Sequence, residues 1–266
     1  MAIIPQFFFD AVVAIGIPSS NEETEWIGTG FLVGKRFVDG WDSIFLISNY
    51  HIFENKQKII VRFNKEGMPL FSDYEIRLLS NGEECFSRHP SADIAAVQIS
   101  SKVLEQDNSS FDWFSLDEHA LTLNGMQNTD VTEGTIVYSL GFPMNLVSVY
   151  RKSPICRIGC ISRITDLFFN GCKEDANEYL IDLQAVPGNS GAPVINRPEI
   201  GHITGTTHNN SANLIGIICG SIDYTRNSHI SECPINDFEI NSGIAVVHPV
   251  DLILEVVNME YKRCKE

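Results

Sequence analysis

Apolar and often β-branched residues fall in short runs along this chain, each closed by Gly, Pro, Asn, Asp or Ser. Residues 7–17 (FFFDAVVAIGI), 27–34 (IGTGFLVG), 44–49 (IFLISN), 58–63 (KIIVRF), 74–79 and 93–99 (DIAAVQI) read as strands. A mixed connector covers about 100–130, and the pattern resumes at 135–142 (TIVYSLGF), 155–162, 179–184 (YLIDLQ), 192–195, 214–219 (LIGIIC) and 243–247. Roughly six strands therefore stand on each side of the connector. Closure removes unpaired strand edges, so two such halves predict an all-β fold of two six-stranded antiparallel β-barrels side by side.

The one clear helical period comes last. Val250, Ile253, Leu254, Val257 and Tyr261 share a face, with Pro249 near the start and Lys262 and Arg263 near the end. This C-terminal α-helix is expected to pack on the second half. The domain reading is one unit over 1–266, with a first barrel at about 1–115, a second at about 130–248 and the helix at about 249–262. Segments 164–178, 196–212 and 222–241 look longer than strand connections require.

Composition narrows the function. With 44% hydrophobic and 20% charged residues, a sizeable core is available. The formal net charge of -15 and the lack of any basic run argue against nucleic acid and against an anionic membrane. The apolar N-terminus has no basic residue ahead of it and is broken by Pro5 and Asp10, so it reads as a first strand rather than a leader. Seven cysteines form no CxxC pair and no small-domain disulfide framework. Cys156, Cys160 and Cys172 raise a metal as one reading, but small buried hydrophobes or exposed thiols in a reducing compartment account for them better. A cytoplasmic protein without metal or organic cofactor is expected.

The sharpest chemical signal is Pro187-Gly188-Asn189-Ser190-Gly191-Ala192-Pro193-Val194. A nucleophilic Ser needs backbone N–H groups aimed at a developing oxyanion, and a tight Gly-flanked turn supplies them. Gly188 can adopt a conformation that turns its N–H toward the same point as that of Ser190. An ordinary β-turn is the competing reading. The Ser also needs a base. Of seven His residues, His89, His119, His202, His208 and His229 lie in polar contexts where solvent exposure suffices, and His248 precedes Pro249 where a turn role suffices. His51 ends the apolar run Ile44–Tyr50, where a rigid strand can hold an imidazole. Asp93 opens Ile94-Ala95-Ala96-Val97, and an acid at the lip of a buried strand needs a partner. The order His, Asp, Ser is that of chymotrypsin, with two members in the first half and one in the second.

On these residues the chain resembles the trypsin-like serine peptidases, and especially the bacterial HtrA/Deg-type branch, over nearly its whole length. Gly28-Thr29-Gly30-Phe31-Leu32-Val33, Leu46 to His51, Asp93 to Val97, Gly141-Phe142-Pro143, Pro187 to Val194, Leu214 to Ile217 and Gly243-Ile244-Ala245 carry the likeness. The resemblance implies a serine endopeptidase acting on protein or peptide substrates. Ser190 would attack the scissile carbonyl, His51 would shuttle the proton, Asp93 would orient His51, and Gly188 and Ser190 N–H would bind the oxyanion. It further implies that Cys219, Gly220 and Ser221 bind an extended substrate as an added strand. It places Gln184 at the base of the first-site pocket, which suggests an uncharged first-site residue. Asn189 replaces the acid that many secreted relatives use for activation, and Cys219 replaces a Ser that supports the catalytic Asp. No peptide-binding domain is expected after the helix, and a protein activator or regulator remains open. A silent or latent binding module and an esterase are the competing functions. The α/β-hydrolase elbow fits less well, because Ala192 stands at its second glycine and the chosen His comes first.

Overall fold

The computed structural model describes residues 4–19, 23–37, 40, 42–170, 177–198, 210–226 and 238–265. Cys172, His202, His208, His229 and Cys233 lie outside these residues.

The first half is built from β1 (Val12–Pro18), β2 (Thr24–Arg36), β3 (Asp42–Ser48), β4 (Lys58–Lys65), β5 (Phe71–Arg77), β6 (Ser87–Arg88) and β7 (Ala95–Ile99). Hydrogen bonding runs β4-β1-β2-β3-β7-β6, with β5 also on β4. The two-residue strands Ser109–Ser110 on β4 and Phe114–Ser115 on β2 bring this sheet to nine strands. Among the described residues its pairing does not close on itself.

The second half does close. Strands β8 (Ile136–Gly141), β9 (Ile155–Arg163), β10 (Tyr179–Asp182), β11 (Pro193–Asn196), β12 (Leu214–Arg226) and β13 (Phe238–Pro249) form a barrel in the order β8-β9-β10-β13-β12-β11. The large sheet and the six-stranded barrel, both mainly antiparallel, are the chymotrypsin-like arrangement that the strand pattern predicts.

Continuous apolar runs, rather than alternating ones, mark these strands because both of their faces are buried. In β3, Ile44 and Leu46 enter the interior of the first half with Val13, Leu32 and Val61. Their neighbours Phe45 and Ile47 face the other way, into a shared seam with Leu140, Ile195 and Ile217 of the second half. In β11 the same alternation sends Val194 into the second barrel's interior and Ile195 into the seam. Three apolar clusters result, and the seam is one of them. A core Phe truncated to Ala costs about 3–5 kcal/mol, so Phe45 alone ties the halves together by that order.

Two elements differ from the sequence reading. Residues 7–11 are not strand: α1 (Gln6–Ala11) starts at Pro5, whose φ of -58° suits the entry to a helix, and buries Phe8 and Ala11. A run of three Phe residues carries no period, so only the tertiary fit decides between helix and strand. The terminal α2 (Val250–Arg263) buries Leu252 and Val256 besides Val250, Ile253 and Val257. It packs on β6 and β7 of the first half as well as on β12, not on the second half alone. The fully buried Glu260 carboxylate accepts from Ser87 Oγ (2.9 Å), Gln98 N (3.1 Å) and Arg263 Nε (2.8 Å), which pins the helix to the first half.

Lys152 is buried, donating from Nζ to Asp10 O at 2.7 Å while its backbone N donates to Asn64 Oδ1. Burial pulls its ammonium down to about 7 against the nearby Asp10 charge. The unfolded chain, with an ordinary Lys near about 10.4, therefore holds a proton that the folded one sheds between about 7 and about 10. Stability contributed by this site rises with pH across that window. Substituting Lys152→Met should flatten the rise of Tm between about pH 7 and about pH 10; parallel Tm profiles for the two proteins would show that Lys152 stays charged.

Candidate active site

His51 lies in a four-residue helix, Tyr50–Phe53, directly after β3. Buried Ile52 and Phe53 anchor that turn, leaving the imidazole at the surface with its side chain 45% exposed. Its Nδ1 meets Asp93 Oδ2 at 2.6 Å, and its backbone N–H donates to Asp93 Oδ1 at 3.0 Å. The carboxylate thus grips His51 at two points. Burial alone would push the Asp93 carboxyl up, but the hydrogen bonds and charge of His51, with a smaller pull from His248, hold it below the ordinary range. Asp93 stays ionised, and Nε2 of His51 is left to face a nucleophile.

Asp93 is itself held from behind. Asn49 Nδ2 donates to Asp93 O at 2.7 Å, and the Asp93 N–H donates to His248 Nε2 at 3.1 Å. His248 Nδ1 stands 3.2 Å from Asn177 O, so the neutral ring donates there and accepts at Nε2. Burial lowers the pKa of His248, which favours that neutral form.

Ser190 reaches the same seam from the second half. Thr29 N donates to Ser190 O at 3.0 Å, and Thr29 Oγ1 donates to Gly188 O at 2.7 Å. The same hydroxyl accepts from Phe142 N at 3.0 Å, and Ser48 Oγ closes the knot on Thr29 O at 2.8 Å. Ser48 stands three residues before His51 on the same segment, so the Ser190 loop is docked beside the imidazole's own strand. Ser190 Oγ makes no hydrogen bond to His51 among the described residues. Catalytic hydrogen bonds are often long without substrate and tighten in its complex.

Two glycines make the loop possible. Gly188 has φ +92°, and a Cβ there would fall 2.2 Å from Phe142 O. Gly191 has φ +83°, and its Cβ would fall 2.0 Å from Thr29 O. Asn189 is buried and closes the turn by accepting from Val186 N at its side-chain oxygen, 3.1 Å away. The N–H groups of Gly188 and Ser190 donate to no other group among the described residues.

Beside Ser190 opens a cavity of about 410 Å³, lined by Val186, Pro187, Ser190, Ser221, Asp223 and Asn241, among others. Gly220 and Ser221 border it, whereas Gln184 is exposed and is not among its lining residues. Its acidic group is instead Asp223, which accepts from Ser221 Oγ at 3.1 Å. The Cys219 thiol lies 3.4 Å from Val246 O and 3.9 Å from Glu178 Oε1.

Residue-by-residue reading missed Thr29, Ser48, Asn49 and His248. The signal was a polar residue inside an apolar strand, where burial demands a partner. His89 is also buried rather than solvated, its Nε2 lying 3.1 Å from Glu255.

The fold is of the chymotrypsin class, and the site lies where its two halves meet. The chain belongs to the trypsin-like peptidase domain family, whose model matches residues 28–205. No curated protein matches the chain. Among solved structures, the apo MamO protease domain from Magnetospirillum magneticum is similar at 15% identity, covering 94% of this chain and 97% of that one with a TM-score of 0.48.

Thr29→Val keeps the shape but strands the Gly188 carbonyl and the Phe142 N–H. Denaturant unfolding should show a loss of about 2–5 kcal/mol, with Thr29→Ser close to wild type. Equal stability of the Val variant would mean that water or a shifted loop replaces the hydroxyl.

Proposed function

We propose that the protein is a serine endopeptidase that hydrolyses protein or peptide substrates through Ser190, His51 and Asp93. The observation that carries this reading is the two-point grip of Asp93 on His51, with Nδ1 to Oδ2 at 2.6 Å, opposite a nucleophile loop docked on Thr29. In this mechanism the Ser190 hydroxyl attacks the scissile carbonyl while His51 Nε2 takes its proton. The imidazolium then protonates the leaving amine, and water deacylates the enzyme by the same route. Asp93 remains ionised throughout and stabilises the imidazolium. The unengaged N–H groups of Gly188 and Ser190 receive the oxyanion, each donor contributing about 3–4 kcal/mol in the transition state.

Gly220 and Ser221, with Cys219 beside them, would pair an extended substrate along β12, and the adjoining cavity would take the first-site side chain. Its polar wall and the Asp223 carboxylate favour a hydrogen-bonding or cationic side chain there, in place of the uncharged one expected from Gln184. The five described cysteines are free, which supports a reducing, cytoplasmic setting. Among the described residues no helix is long and apolar enough to cross a membrane.

The open Ser190–His51 pair favours one second reading, a latent site that a protein activator or the substrate completes. A small fluorophosphonate separates the two. Active enzyme is labelled at Ser190 without partner, Ser190→Ala abolishes the label, and Asp93→Asn lowers kcat about 10⁴-fold. A folded protein that no such probe labels would defeat the endopeptidase reading. In a peptide library, Asp223→Ala should reduce any preference for Lys or Arg before the cut by about tenfold; an unchanged profile would remove Asp223 from the specificity determinants.

A further inference from the structure

Behind the site lies a second group of side chains that the hydrolysis does not use. Glu178, Cys219 and His248 project from three neighbouring strand positions of the second barrel: the residue before β10, the middle of β12 and the end of β13. The β12–β13 register slips between Ile218 and Gly220, so Cys219 is the extra residue of a bulge. A bulge re-aims its side chain, here toward its two neighbours. Their donor atoms lie within 4.8 Å of one another, with His248 Nε2 and Cys219 Sγ each 3.9 Å from Glu178 Oε1.

The chemistry of the set is that of a borderline divalent cation. It combines an imidazole nitrogen, a sulfur and a carboxylate oxygen, the three donor types that zinc and cobalt take in tetrahedral sites. The His248 Nδ1 contact to Asn177 O at 3.2 Å supplies the outer hydrogen bond typical of a metal-bound His and leaves Nε2 as the accepting nitrogen, on the side of the ring near Glu178. Metal bonds of about 2.0–2.3 Å require donors about 3.3–3.7 Å apart, so a cation needs to draw in the two 3.9 Å pairs by about half an ångström and the Cys219–His248 pair by at most about 1 Å. Glu178 is half-exposed and opens the group to solvent, while the His248 side chain is 3% exposed. Burial, reinforced by the negative charges of Glu178 and Asp93, holds the Cys219 thiol far above its ordinary range. A divalent cation reverses that field, and the thiol releases its proton to solvent as the metal–sulfur bond forms.

We propose that Glu178, Cys219 and His248 form an inhibitory site for a zinc-like divalent cation, coupled to the candidate triad through the backbone of Asp93. The link is His248 Nε2, which now accepts the Asp93 N–H at 3.1 Å. Metal and amide compete for one lone pair. Filling the site therefore frees the Asp93 backbone and loosens the carboxylate that orients His51. A water completes the fourth metal position.

The inhibitory half rests on the endopeptidase reading, whereas metal binding does not. Co²⁺ titrated into the full chain should give a thiolate-to-cobalt charge-transfer band at one equivalent, bleached by Zn²⁺. Glu178→Gln should weaken it about 10–100-fold, and Cys219→Ser should remove it. Zn²⁺ should slow fluorophosphonate labelling of Ser190 at least tenfold, reversed by a chelator, while Glu178→Gln keeps its metal-free rate and resists Zn²⁺. No cobalt–thiolate band, or a band that survives Cys219→Ser, overturns the site. A bound metal that leaves labelling unchanged, or equal Zn²⁺ inhibition of Glu178→Gln, overturns the coupling. If the metal-free chain is never labelled, the endopeptidase reading fails and the cobalt spectrum still decides the metal site.

Discussion

A single buried hydroxyl ties the two halves together at the point where the candidate site lies. Thr29 sits on β2 of the first half, yet its Oγ1 donates to Gly188 and accepts from Phe142, both in the second. Its own N–H and C=O are taken by Ser190 and Ser48. All four of these hydrogen bonds, made by the three polar groups of one residue, therefore lie on the path from the Ser190 loop to the segment that ends in His51. Burial on every side removes water as a substitute partner, so the arrangement is held in one state rather than several. The apolar seam supplies the adhesion, and Thr29 supplies the alignment that adhesion lacks.

Electrostatics follows the same division. In front of Asp93, hydrogen bonds from His51 stabilise the charge that burial would suppress. Behind it, a neutral His248 accepts from its backbone instead of confronting it with a second positive group. The carboxylate is thus oriented by contacts on two sides, only one of which belongs to the reacting groups. That separation lets the rear contacts change without altering the identity of any residue that touches substrate.

Much of this was legible in the chain. Strand positions could be read because runs such as Ile44–Ile47 are buried on both faces, and such runs stand out without any period. His51, Asp93 and Ser190 could be read because each breaks an apolar or turn context in a way that needs a chemical reason. What stayed hidden depends on long-range fit. The helix at Gln6–Ala11 carries three Phe residues that suit a strand equally well, and it is distinguished by the packing of Phe8. Analogy put a neutral Gln184 at the pocket base, whereas the carboxylate that lines the cavity is Asp223 on β12. His248 looked like a turn residue because its partners, Asp93 and Asn177, are 155 and 71 positions away. Pairings at such separation leave no trace in a local window.

The grip of Glu260 on Ser87 and Gln98 also bears on how the protein is made. Translation delivers residue 260 after every strand of both halves, so a growing chain carries β6 and β7 with their outer faces bare. That flank is sealed only once the terminal helix docks, and until then the segment leading out of Asp93 lacks its backing.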